Sequence, residues 1–171
     1  EAQRGGIKTG AGGGTITEFD PLGPYIKHLN ELLDLDEIKK AGLDVVVDSM
    51  HGAGAGLTQS LIGSGKTTVR ELRAEPNPAF PGMVQPEPIR QNLEPLISAV
   101  SGSTATVGLA TDGDADRLGL TDENGVFLTQ LQTLALLALY LLEVRGERGP
   151  LVKSITTTSM LNRLGEIYDV Q

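Results

Sequence analysis

The run Leu43-Asp44-Val45-Val46-Val47, closed by the glycine-rich turn from Asp48 to Gly56, constrains the chain more than any other feature. β-Branched side chains pack well on a pleated surface, and an apolar run of this kind suits a strand buried on both faces. Leu57, Leu61 and Ile62 follow at helical spacing, giving the order strand, turn, helix. The order then recurs, with a strand at residues 67–72, an irregular Pro-rich loop at 75–88, a helix at 90–100 and a strand at 106–110. Strands alternating with helices predict an α/β fold, with a mostly parallel sheet covered by helices on both faces. Residues 118–121 are expected to return antiparallel as a hairpin with the third strand, which makes the sheet mixed.

The flanks read differently. Residues 1–18 contain the Gly10 to Gly14 stretch, which cannot hold a helix, and are expected to be a linker or arm. A helix is predicted after Pro21, with Tyr25, Ile26, Leu29, Leu32 and Leu33 on one face. A second begins near Asp36, as its cap, and ends at Gly42. The main domain is accordingly placed at 19–125. Beyond the turn Asp122-Glu123-Asn124-Gly125, the pattern predicts a helix at 128–144, a strand at 151–156 and a helix at 159–167. Those elements cannot close a sheet, so 126–171 is read as an incomplete second α/β unit whose apolar face favours self-association.

Composition narrows the partners. The formal charge of −8 disfavours nucleic acid, although a bound cation or one placed Arg would still accept a small phosphate ester. The chain has no cysteine, which removes disulfides, thiolate metal sites and cysteine nucleophiles and fits a cytoplasmic protein. Its charged, Gly-rich opening does not read as a signal peptide, and the apolar run 134–142 is too short to span a bilayer, so no membrane association is expected.

Chemistry concentrates in Thr111-Asp112-Gly113-Asp114-Ala115-Asp116-Arg117. Carboxylates at alternate positions, spaced by Gly and Ala, are able to converge on one side of a tight loop, where their mutual repulsion favours a bound cation. Mg²⁺ suits such a hard oxygen set and keeps coordination positions for water or a phosphoryl oxygen. Arg117 is placed to pair with a phosphate. The plain alternative is a solvated acidic loop whose side chains cap backbone amides. A calcium loop is the sharper rival, because Asp112, Asp114, Asp116 and Glu123 match its spacing; Arg117 where that loop needs Gly, and strand-like flanks, oppose it. Ser49 and His51 invite a nucleophile-and-base reading, yet close helix-to-sheet packing explains their turn better. The loop at 75–88 reads as a rigid connection, and His28 as a surface or packing residue.

Three segments together resemble one family: the Val45 to Gly54 turn, the Asn77 to Pro88 loop with Phe80-Pro81-Gly82, and the Thr111 to Arg117 loop. They look like the second domain of the α-D-phosphohexomutases, the phosphoglucomutase and phosphomannomutase group, followed by the start of a third domain. The resemblance implies a four-domain enzyme that moves a phosphoryl group between the 1- and 6-positions of a hexose through a bisphosphorylated intermediate. It implies Asp112, Asp114 and Asp116 as Mg²⁺ ligands, a phosphate-facing Arg117, and a substrate contact at Ser159. No segment here matches the family's phosphoserine, sugar-reading or phosphate-clamp motifs. The resemblance therefore places no catalytic nucleophile in this chain, makes the chain inactive alone, and gives it a hexose phosphate and the parent's remaining domains as partners. The competing reading is a stand-alone cation-binding module, with a scaffold subunit as a third.

Overall fold

The computed structural model describes residues 14–170, so the arm expected at 1–18 lies mostly outside the described residues. The chain divides into two units after Leu33. In the first, α1 (Leu22–Leu32) follows Pro21 as its spacing predicts, and none of its residues is buried.

The second unit opens with α2 (Leu35–Lys40). Its cap is Asp34, which accepts from the Glu37 amide at 3.0 Å, two residues earlier than the sequence reading placed it. Burial of Leu35 draws that residue into the first turn, which moves the cap back. Asp36 and Glu37 then sit at the positive end and Lys39 and Lys40 at the negative end, as the helix dipole favours.

Five strands form one sheet in the order β2-β1-β3-β4-β5. β1 (Asp44–Asp48) is flanked by β2 (Thr68–Leu72) and β3 (Val107–Thr111), both parallel to it, with Val45 opposite Val69 and Val107. Its inner position explains the valine run. Val46 packs with Leu96 and Val100 of α4 (Glu94–Ser101), while alternation turns Val45 and Val47 to the other face. All three are at most 1% exposed, so both faces of the sheet are covered. On the connection from β1 to β2, α3 (Leu57–Ile62) packs against β2 and α2 packs against α3.

β4 (Leu118–Thr121) returns antiparallel to β3, with Leu118 opposite Thr111, as expected of the hairpin. A short β5 (Phe127–Leu128) extends the same sheet. The sequence reading missed β5 because two residues show no period. The Asp122 carboxylate closes the intervening turn by accepting from the amides of Asn124 and Val126 at 3.0 and 2.7 Å.

Thr129 and Gln132 form a capping box on α5 (Gln130–Leu139), which runs into a π-helical turn at Tyr140–Val144 instead of the continuous helix expected. With α6 (Met160–Tyr168) it encloses a small core of Ala138, Leu142, Leu161 and Leu164. The strand expected at 151–156 does not form. Strand hydrogen bonds need a neighbour, and Val152 and Ile155, 92% and 97% exposed, have no strand beside them among the described residues. No helix of the described residues is long and apolar enough to cross a membrane.

Candidate metal centre

β1, β2 and β3 are parallel, so their carboxyl ends open on the same edge of the sheet. In open α/β sheets that edge is where ligands bind. Three connections leave it: the turn after β1, the Pro-rich loop after β2 and the aspartate loop after β3.

Asp112 directly follows β3 and Arg117 directly precedes β4, so a hairpin holds both ends of the aspartate loop. Asp112, Asp114 and Asp116 each place one carboxylate oxygen within 4.8 Å of the others. Asp112 is buried at the base, whereas Asp114 and Asp116 are exposed at the rim. Ala115, at φ +64°, takes the left-handed turn that folds the rim back over the base.

Asp112 is tightly partnered. Its Oδ1 accepts from the amides of Asp116 and Arg117 at 2.9 and 3.0 Å, and its Oδ2 from Arg117 Nε at 2.6 Å. Burial pushes its carboxyl up, but the Arg117 amide and guanidinium outweigh this, and the net position lies below the usual carboxylate range. Asp116 moves the opposite way, pushed up first by the charge of Asp114 and then by that of Asp112. Adjacent carboxylates that resist joint ionisation form a set that a divalent cation would relieve.

The other two connections pack directly on this loop. Ala53 N–H donates to Gly113 O at 2.9 Å, and Gly113 N–H donates to Pro86 O at 3.1 Å. The two supports are themselves joined: Asn77 N–H donates to His51 O, and His51 Nδ1 bonds Glu75 O, both at 2.9 Å. Glu87 reaches Arg117 Nη1 at 2.9 Å, so one guanidinium bridges Asp112 and Glu87. Arg117 Nη2 makes no hydrogen bond among the described residues, which leaves its two N–H donors for an anion.

Residues 23–125 match the model of the family described as "Phosphoglucomutase/phosphomannomutase, alpha/beta/alpha domain II". The chain belongs to the phosphoglucomutase/phosphomannomutase family. A Thermococcus kodakarensis protein named phosphoglucomutase/phosphomannomutase is 35% identical over 153 residues, covering 90% of this chain and 33% of the relative. A Methanosarcina barkeri protein named "Probable phosphoglucosamine mutase" is 34% identical over 165 residues, covering 90% and 37%. A Thermus thermophilus crystal structure described as "putative phosphomannomutase" superposes with a TM-score of 0.80 at 38% identity, over 89% of this chain and 35% of that one. The chain thus spans about a third of the length of these relatives.

Ser49 and His51 make no hydrogen bond to the three aspartates among the described residues. Ser49 is buried and its hydroxyl donates to Glu71 at 3.4 Å, while the His51 ring is engaged by Glu75 O, so the two make no nucleophile-and-base pair. Ser159 is exposed at the start of α6, and no hydrogen bond links it to the aspartates among the described residues. His28 lies on exposed α1 with Glu31 at 3.4 Å.

Sequence reasoning missed Glu87 and the network behind it. Arg73 reaches buried Asp48 through Nε at 2.8 Å and through Nη2, and Nη2 also donates to Asn92 O at 2.9 Å. Asn92 in turn donates to Gln85 O and Glu87 O at 2.8 and 2.9 Å, fixing the backbone that carries Glu87. The available signal was Pro86-Glu87-Pro88: a charged residue between prolines sits on a backbone with little freedom to turn away.

Proposed function

We propose that this chain is the metal-bearing portion of a longer cytoplasmic phosphohexomutase that interconverts hexose 1-phosphate and hexose 6-phosphate, glucose or mannose being the sugar, through a bisphosphorylated intermediate. The observation that carries the reading is the convergence of Asp112, Asp114 and Asp116 at the carboxyl edge of the parallel strands. The donor set is all oxygen and anionic, which fits Mg²⁺, and three monodentate carboxylates would leave half of an octahedron for other ligands. When bound, the ion would neutralise charge on phosphoryl oxygens.

The chain's own residues divide the remaining work. Asp112 anchors the loop through the two amides it accepts, and Asp114 and Asp116 offer the exposed oxygens. Arg117 presents its Nη2 donors to a phosphate, held in place by Asp112 and Glu87. A substrate contact at Ser159 rests on resemblance alone. The division into a second domain at 19–125 and the opening of a third at 126–171 follows the same resemblance, and the nucleophilic serine belongs to the missing part of the parent. Partners are then the hexose phosphate and the parent's other domains.

The rival calcium module predicts helices on either side of the loop, and β3 and β4 are strands. Titration of the chain with Mg²⁺ and Ca²⁺ tests the choice. We expect weak Mg²⁺ binding that strengthens when a phosphoserine peptide is added, and no turnover of glucose 1-phosphate. Tight, saturable binding of Ca²⁺ in preference to Mg²⁺ would establish the module instead, and sustained mutase activity would refute the missing nucleophile.

A further inference from the structure

The turn after β1 touches the aspartate loop through backbone rather than side chains. A Cβ added to Gly52 would lie 2.6 Å from Gly113 O, 2.8 Å from Asp112 O and 2.9 Å from Gly113 Cα. Such distances are far inside van der Waals contact, and none of these atoms belongs to a side chain able to rotate away. Gly54 makes the second approach: its Cβ would lie 2.8 Å from Thr111 Oγ1 and 3.2 Å from Ala115 Cβ. Gly52 therefore faces the base of the loop, and Gly54 faces the strand end before it and the left-handed residue at its rim.

The turn is itself held in an uncommon conformation. Met50 and His51 both adopt positive φ, +46° and +59°, although neither is glycine. Surrounding bonds impose this. Met50 is fully buried, its amide donates to Asp48 Oδ1 at 3.1 Å, and the His51 amide donates to Arg73 O at 2.8 Å. Backbone held in sparsely populated regions persists where its surroundings over-determine it, and such positions cluster at functional sites. Here the strained turn ends in Ala53 N–H, aimed at Gly113 O, at the residue between the first two aspartates.

We infer that the glycine turn sets the shape of the aspartate loop, with Gly52 and Gly54 as positioning residues for the metal site. The inference rests on the metal reading above and adds a residue pair that makes no contact with the ion. Groups that orient metal ligands from behind commonly change affinity by about 10–100-fold when altered. An added methyl at Gly52 has to push Gly113 O away and break the Ala53 bond, which moves Asp112 relative to Asp114. At Gly54 the obstacle is a side chain. Thr111 Oγ1 is buried without a hydrogen-bond partner, so its removal costs no bond and clears the nearest of the contacts that a Gly54 methyl would meet, leaving Ala115 Cβ at 3.2 Å.

The test uses the full chain with Mn²⁺ as probe, counting free ion by electron paramagnetic resonance, beside urea unfolding in chelator to report metal-free stability. We expect Gly52→Ala to weaken Mn²⁺ binding by about tenfold or more in protein that remains folded. Gly54→Ala should weaken it less, and adding Thr111→Ala to Gly54→Ala should recover most of the loss. Binding by Gly52→Ala equal to that of the unaltered chain overturns the inference. Should Gly52→Ala not fold, the Gly54 pair decides: a Gly54→Ala chain that binds normally, or whose loss Thr111→Ala leaves uncorrected, overturns it equally. Absence of Mn²⁺ binding in the unaltered chain sinks the metal reading itself and is thereby told apart from failure of the positioning role.

Discussion

Asp112 has a structural task that Asp114 and Asp116 do not share. It is buried and accepts three bonds from Asp116 and Arg117, so its carboxylate holds the loop together before any ion arrives. Asp114 and Asp116 are exposed, and their charges oppose one another. Asp112→Ala should therefore lower metal-free stability by about 1–3 kcal/mol, the net worth of the three part-buried hydrogen bonds it loses, as well as remove Mn²⁺ binding. Asp114→Asn and Asp116→Asn each remove a repelling charge, so they should not lower the urea midpoint in chelator while they weaken Mn²⁺ binding. Equal midpoints for all three substitutions would show that Asp112 has no structural role. Asp48 and Arg73 form the second buried polar feature. Arg73→Met would leave the Asp48 carboxylate without its cation in a site with no solvent exposure, at a cost of about 3–5 kcal/mol in urea unfolding. Asp48→Asn added to Arg73→Met should recover part of that loss, because it removes the stranded charge.

Elements of the sheet were legible where side-chain chemistry and burial agreed. Val45, Val46 and Val47 announce an inner strand because both faces are covered there, and that pattern needs no knowledge of the rest of the fold. The strand read at 151–156 mixes Leu151, Val152 and Ile155 with Lys153, Ser154 and Thr156 and has no neighbour, and pairing is a property of two segments that one segment cannot display. The site divides similarly. The alternate aspartates are visible in sequence, whereas Glu87, Arg73 and the approach of Gly52 to Gly113 depend on loops that meet only after three strands align. The α5–α6 pair adds an exposed contact with a pH signature. Tyr168 Oη donates to Glu143 Oε2 at 2.7 Å, which pushes the phenol above its ordinary value of about 10. A phenol raised in the folded state contributes stability below that value, and loses it as pH climbs through the raised one. Phenolate absorbance should then place Tyr168 above 10, with Glu143→Gln returning it toward the ordinary value; an unmoved midpoint in that variant would discard the contact.

At the scale of the molecule, α5 carries apolar side chains around most of its circumference, a composition suited to a helix enclosed by protein. Its inner residues meet α6, yet Leu131, Leu136 and Leu137 remain 47%, 51% and 55% exposed, and Leu134, Leu137 and Leu141 line a groove with Pro150 and Val152. The relatives are about three times as long as the segment matched here, which supports the proposal that the parent's further domains cover this face. An uncovered apolar surface of this kind drives association when nothing else is offered. Sedimentation of the isolated chain should accordingly show concentration-dependent self-association. Leu137→Lys with Leu141→Lys should return it to a monomer, because charged side chains at those positions stay solvated in the monomer and desolvate in the dimer. The aspartate loop is carried by different strands, so Mn²⁺ binding should survive the same two substitutions. A chain that stays monomeric at every concentration before substitution would mean that the groove is content in water, and the argument for a missing cover would fail with it.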